Sequence, residues 1–115
     1  MKLINRSAIS IKPKQPYVDW VNQLDGDISG LDQPILLEAH QREGRVYLLE
    51  ESEEIDGVSA QLDLNWRLIF ENELSAWDEF AEHWPQPLNE TMFEHWFETA
   101  HQLLVFDAAK ESLMV

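Results

Sequence analysis

The residues best suited to chemistry lie in the segment EHWFETAH, residues 94–101. If this segment is helical, Glu94, Glu98 and His101 share one face, and Glu98-x-x-His101 has the spacing found in carboxylate-bridged dimetal bundles. Such a bundle needs a second Glu-x-x-His motif, but no other histidine has an acid three residues before it. The cluster therefore predicts at most a mononuclear site, as for zinc. The alternative is a polar surface facing solvent, and a strand in this segment would separate the three residues.

Glu73 is the acid most out of place in the hydrophobic pattern. On a helix that starts near Val58 it falls near the middle of an apolar stripe, between Ile69 and Trp77. An unpaired carboxylate there would lose much of its hydration or stay protonated with a raised pKa. We expect a structural buried pair with Arg6, because a guanidinium can hold a carboxylate with two hydrogen bonds. The alternative is a carboxylate at the rim of the core that reaches water.

Other catalytic patterns are missing from the sequence. It contains no cysteine nucleophile, no glycine-rich phosphate loop and no H-E-x-x-H motif. Because no catalytic constellation is complete, we favour a non-enzymatic protein-interaction or self-associating module that needs no cofactor. Its partner would be another protein or a second copy of the chain. The alternative is a small metal-dependent enzyme or hydrolase that uses Glu94, Glu98 and His101.

The charge of the chain is large and unevenly distributed. The formal net charge is −14 at pH 7, yet the first 14 residues hold four Lys or Arg and none of the 22 acids. A field of this sign repels phosphates, so we expect no nucleic-acid partner. No apolar run approaches the roughly 18 residues of a membrane span, and the first residues lack a secretory signal. The sequence therefore predicts a cytoplasmic protein that does not bind membranes.

The periodicity of apolar residues predicts a single α+β domain over residues 1–115. Alternation in 3–12 indicates a strand, and Pro16 then opens a helix. The run RVYLLE, 45–50, has the composition of a buried strand, and 100–107 favours a third. We expect a small sheet of about three strands packed against one long helix and two or three shorter helices. The alternative is a helical C-terminal segment with only two strands.

The long helix is predicted to run for some twenty residues from Val58. Its apolar residues fall within one stripe about 120° wide, namely Val58, Leu62, Trp66, Ile69, Phe70, Trp77 and Phe80. Leu64 and Leu68 lie off that stripe. They predict a second contact, either with another helix or with a second protomer, and are candidate interface residues.

Six segments spread over most of the chain resemble one known family. They are NRSA, KPKQPYVDW, VYLL, FENELSAW, the Trp-Pro at 84 and 85, and MFEHWF. In this order they are similar to a family of small acidic bacterial proteins, mostly from proteobacteria, that carries no assigned activity. The resemblance implies a bacterial cytoplasmic α+β domain and carries no catalytic residue over to this chain. The loop at 25–33 and the tail after Asp107 show no match.

Overall fold

The computed structural model describes residues 1–114 and confirms the predicted α+β class. In chain order its elements are β1 (Lys2–Leu3), β2 (Arg6–Pro13), α1 (Gln15–Gln23), α2 (Gly26–Ser29), α3 (Leu37–Glu43), β3 (Arg45–Glu50), α4 (Ile55–Ser75), α5 (Glu90–Trp96), β4 (Phe97–Gln102) and β5 (Phe106–Asp107). Within these residues, none of the helices is long and apolar enough to cross a membrane.

Three antiparallel strands form the main sheet in the order β3-β2-β4. The central strand is β2, in which Ile9 lies opposite Tyr47 of β3 and opposite His101 of β4. The helices cover the face that carries Ile9 and Ile11, both fully buried. On the outer face Val46 and Ala100 are exposed, whereas Ala8 of the central strand is buried.

The predicted third strand exists, but its position differs from the prediction. It spans Phe97–Gln102 rather than 100–107, and the alternative with a helical end is wrong. The cause is a helix that stops at Trp96, whose carbonyl accepts a hydrogen bond of 2.8 Å from the Lys14 N–H. This bond begins the ladder between β2 and β4. Residues 106–107 instead form β5, which pairs with β1 in a separate two-stranded sheet.

The centre of the core is a cluster of aromatic rings beneath the sheet. The fully buried ring of Phe70, on α4, lies 5.8 Å from Phe93, 5.4 Å from Trp96 and 5.6 Å from Phe97, measured between ring centroids. Tyr17 of α1 closes the cluster at 5.0 Å from Phe97. Tilted and edge-to-face pairs of this kind stabilise a core beyond the area they bury.

The long helix ends earlier than its apolar stripe predicts. α4 stops at Ser75, so Trp77 lies beyond it and Phe80 is 79% exposed instead of buried. The turn that follows is fixed by buried Asp78. Its Oδ2 accepts a hydrogen bond of 2.7 Å from the His83 N–H, and its carbonyl accepts one of 3.0 Å from Nε1 of Trp84. These bonds redirect the chain, so helical spacing ceases to describe it.

Asn89 caps α5, and its removal should have a measurable cost. Its Oδ1 accepts a hydrogen bond of 2.8 Å from the Met92 N–H, which satisfies one of the free donors at the start of the helix. We expect Asn89→Ala to lower the free energy of unfolding by about 1 kcal/mol. Asn89→Asp should keep most of it, because aspartate also caps. Urea unfolding followed by circular dichroism gives both values, and equal losses in the two variants would contradict the cap.

Candidate interaction surfaces and the buried polar cluster

The hydrogen bond from Lys14 to Trp96 fixes which main-chain groups of the sheet point outward. In antiparallel pairing, hydrogen-bonded pairs alternate with non-bonded ones. The even-numbered residues of β2 therefore bond to β4, and the odd-numbered ones bond to β3. It follows that Val46, Leu48 and Glu50 direct their N–H and C=O groups away from β2, toward the free edge of β3.

Exposed apolar side chains lie on both sides of this edge. Val46 and Leu48 are 67% and 49% exposed on the outer face, while Leu64 and Leu68 of α4 are 76% and 67% exposed. Leu68 and Leu48 line the same shallow groove of about 150 Å³ beside the strand. Leu64 lies one helical turn before Leu68. We call these four residues the β3 edge surface.

The sequence pattern does not predict the exposure of Val46 and Leu48. RVYLLE has the composition of a buried strand, whereas only Leu49 is buried in β3. The strand lies at the edge of a sheet with helices on one face, so alternate side chains reach solvent. Strand composition cannot distinguish this arrangement from a sheet covered on both faces. The two leucines of α4 were the only signal of this surface, through their position off the helical stripe.

Glu73 is buried beneath the helix-covered face of β3, where it joins a polar cluster. Its side chain is 4% exposed, and its Oε2 accepts a hydrogen bond from the Tyr47 hydroxyl. The Tyr47 oxygen in turn accepts a bond of 2.9 Å from Nδ2 of Asn72. Nε of Arg45 lies 3.8 Å from the same carboxylate oxygen. Tyr17 adds a bond of 2.7 Å from its hydroxyl to the Glu73 carbonyl.

The structure corrects the predicted pair of Arg6 and Glu73. Arg6 is exposed, its Nη1 donates to the carbonyl of Asn5, and it makes no ion pair among residues 1–114. The reason is the antiparallel register, which places Arg45 opposite Ile11. Ile11 lies five positions beyond Arg6, about 17 Å along the strand. A carboxylate near Arg45 is therefore out of reach of Arg6.

Burial dominates the electrostatics of this cluster. Desolvation raises the pKa of Glu73, although the Tyr47 hydroxyl and Arg45 act in the opposite direction. Burial likewise raises the pKa of Tyr17 and of Tyr47, and it lowers the pKa of His40. Shifted pKa values of this kind are a familiar feature of catalytic sites, although structural polar clusters produce them too.

The space around Glu73 nevertheless argues for a structural role. The cavity beside its carboxylate has a volume of about 10 Å³ and is lined by Pro13, Tyr17, His40, Gly44, Arg45 and Glu73. A volume of this size corresponds to about one water molecule. No substrate carbon skeleton would fit, so the cluster holds α1, β3 and α4 together instead of presenting reactive groups.

The predicted metal site is not formed. Glu94 lies on α5, whereas Glu98 and His101 lie on β4, where residues three apart point to opposite faces. In residues 1–114 no group of three His, Asp or Glu side chains is arranged to hold a metal ion. The helical spacing of Glu98-x-x-His101 fails because the helix stops at Trp96. The three residues still line one open groove of about 450 Å³ at the free edge of β4.

Comparison with models of protein families, with curated proteins and with solved structures finds no match to this chain. The proposed role therefore rests on the geometry of the two sheet edges and on the charges around them.

Proposed function

We propose that the protein is a non-enzymatic interaction module that self-associates through the edge of β3. The observation that carries the proposal is the β3 edge surface, in which exposed Val46, Leu48, Leu64 and Leu68 adjoin outward-pointing main-chain groups. Natural proteins usually protect such an edge with charge or proline, because an apolar unpaired strand templates further pairing. Here the middle of β3 carries neither. A second copy would both hydrogen-bond the edge and cover the leucines.

Symmetry limits how two β3 strands can pair. A twofold axis between antiparallel neighbours is perpendicular to the sheet, so both copies keep their helices on one side. Facing residues must then share a face of the sheet, and one residue must face its own copy across the axis. An axis at Leu48 pairs Val46 with Glu50 of the second copy. It also places Arg45 opposite Glu51 of the second copy, which supplies two complementary charge pairs.

The long helices complete this interface. In the six-stranded arrangement both copies of α4 lie on the same face of the sheet, one on each side of the seam, with Leu64 and Leu68 on their exposed flanks. Burying these leucines against the second copy supplies a hydrophobic contribution of about 1.5–3 kcal/mol for each side chain that becomes fully covered. Main-chain bonds then set the register, and the leucines supply most of the affinity.

The net charge of −14 should make this association depend on ionic strength. Two copies of like charge repel at long range, and salt screens that repulsion. Self-association should therefore strengthen as ionic strength rises. The same charge makes a nucleic-acid partner unfavourable. We retain the cytoplasm as the proposed location and a bacterial source as the proposed origin, on the sequence features described above.

Leu68→Glu tests the interface. We expect the wild-type protein to elute with twice its chain mass of 13.5 kDa, measured by size-exclusion chromatography with light scattering. The variant should dimerise about 10- to 100-fold more weakly, because it loses a buried leucine on each copy and introduces a charge. Leu36→Glu is the matched control, since Leu36 is equally exposed but lies outside the β3 edge surface. A wild-type protein that stays monomeric in moderate salt, or equal effects of both substitutions, would contradict the proposal.

A further inference from the structure

The opposite edge of the sheet has a different character. By the same alternation, Thr99 and His101 of β4 direct their main-chain N–H and C=O groups away from β2, whereas the N–H of Phe97 donates to the Phe93 carbonyl. Their side chains lie on the helix-covered face, where all three line the groove of about 450 Å³. An extended chain laid along β4 would therefore meet free hydrogen-bonding groups and a concave surface at the same place.

The walls of this groove come from three elements. Leu62 of α4, Phe93 of α5 and Phe97 of β4 supply its apolar surface. Side chains of a paired strand alternate between the two faces of the sheet. Every second residue of an incoming strand would then point into the groove, where the aliphatic stem of a lysine or arginine would contact this apolar surface. The groove thus favours long side chains with an apolar stem at alternate positions.

The charges of the groove favour a cation at the end of such a stem. Asp63, Glu94 and Glu98 line it, against the single ammonium of Lys14, whose Nζ donates a hydrogen bond of 2.9 Å to the Glu94 carbonyl. Beside Asp63 lies Glu90, and the closeness of the two carboxyl groups raises the pKa of Glu90. Two carboxyl groups in contact repel when both are ionised, and a nearby cation relieves that repulsion.

We propose that this groove, which we call the β4 groove, binds an extended basic peptide that adds a fourth strand to the sheet at β4. The peptide alternates Lys or Arg with aliphatic residues. Its main chain pairs with Thr99 and His101. Its Lys or Arg side chains enter the groove, where their aliphatic stems contact the apolar wall and their cations reach Asp63 and Glu94. Strand addition of this kind takes affinity from main-chain bonds and specificity from alternate side chains. The self-associating edge of β3 lies across the sheet, so both edges can be occupied together.

The test uses a synthetic peptide of alternating lysine and valine, about eight residues long, which matches an ordinary strand. Binding is followed by amide chemical shifts of the full-length protein in low salt. We expect saturable shifts centred on 97–101 and weaker binding as salt is added. A peptide with N-methyl groups on alternate residues should not bind, because it cannot donate to the edge. A glutamate–valine peptide should not bind either, because its charge is repelled.

A pair of double variants separates the groove from general attraction to an acidic protein. Asp63→Asn with Glu94→Gln should weaken binding about tenfold, since two charge contacts are lost. Glu79→Gln with Glu82→Gln removes the same charge from exposed positions outside the groove and should change affinity little. Retained binding of the N-methylated peptide, equal effects of the two double variants, or shifts centred on 45–50 would each overturn the proposal. Leu68→Glu should bind the peptide unchanged, so failure of self-association would leave this result intact.

Discussion

Phe70→Ala is expected to lower the free energy of unfolding by about 3–5 kcal/mol. The Phe70 ring is fully buried and lies within 5.8 Å of the rings of Phe93, Trp96 and Phe97. Truncation removes contacts with α5 and β4 together, and the rigid neighbouring rings limit collapse into the cavity. Since a domain of ordinary stability unfolds at about 5–15 kcal/mol, the variant should be close to its unfolding transition. Urea titration and thermal melting by circular dichroism measure the loss.

Phe80→Ala is the matched control for this substitution. The helical pattern placed both phenylalanines on one buried stripe, but Phe80 is 79% exposed beyond the end of α4. Its truncation should change the free energy of unfolding by no more than about 0.5 kcal/mol. If Phe70→Ala does not express in folded form, Phe70→Leu should show a smaller loss at the same site. Similar effects of the two alanine substitutions would contradict the described core.

Tyr47→Phe should cost about 1.5–3 kcal/mol of stability above the folded-state pKa of Glu73 and less in acid. The Tyr47 hydroxyl donates to the buried Glu73 carboxylate, which otherwise has only Arg45, at 3.8 Å, as a close counter-ion. The bond favours the ionised form, so its removal raises the pKa of Glu73 further. The loss should therefore grow as pH increases. Chemical denaturation at a series of pH values measures this dependence.

Glu73→Gln tests the direction in which Glu73 changes stability with pH. Burial raises the folded-state pKa of Glu73 above its ordinary value of 4.5. The contribution of Glu73 to stability is thus fully present below that ordinary value and is lost as pH rises through the folded-state pKa. Glutamine does not titrate, so the variant should gain stability relative to wild type over this range. In the Glu73→Gln background, Tyr47→Phe should cost less and show little pH dependence. A pH-independent cost in both backgrounds would contradict the burial of an ionisable Glu73.

The sequence predicts the parts of this fold that depend on local periodicity. The alternation around Ile9 and Ile11 identifies β2, and the position of Pro16 identifies the start of α1. The α+β class and a three-stranded sheet follow from these elements and are confirmed. Burial of Glu73 also follows, because its position on the helix is a matter of spacing alone.

Features that depend on contacts between distant segments cannot be predicted from the sequence pattern. The partner of Glu73 is set by the register of β2 and β3, which places Arg45 rather than Arg6 within reach. α5 ends at Trp96, where the hydrogen bond from Lys14 begins the ladder between β2 and β4. Glu94 therefore lies on a helix and Glu98 on a strand, and the predicted metal site is not formed. Exposure of the β3 edge depends on how many faces of the sheet the helices cover.

The two proposed interactions, one at each edge of the sheet, should respond in opposite directions to added salt. Pairing at β3 is driven by apolar surface between copies of like charge, so screening should favour it. Peptide binding at the β4 groove is driven partly by opposite charges, so screening should oppose it. An ionic-strength series with both readouts in one sample would therefore follow the two events independently.

Oxidative cross-linking of Leu48→Cys tests the proposed self-association most directly, since the native chain contains no cysteine. With the twofold axis at this residue, the two Cα atoms would lie about 5.5 Å apart, within the range a disulfide spans. Ala100→Cys, on the same outer face but in β4, is the control. We expect rapid disulfide-linked dimers from the first variant and none from the second. Equal cross-linking of both, or of the control alone, would contradict pairing through β3.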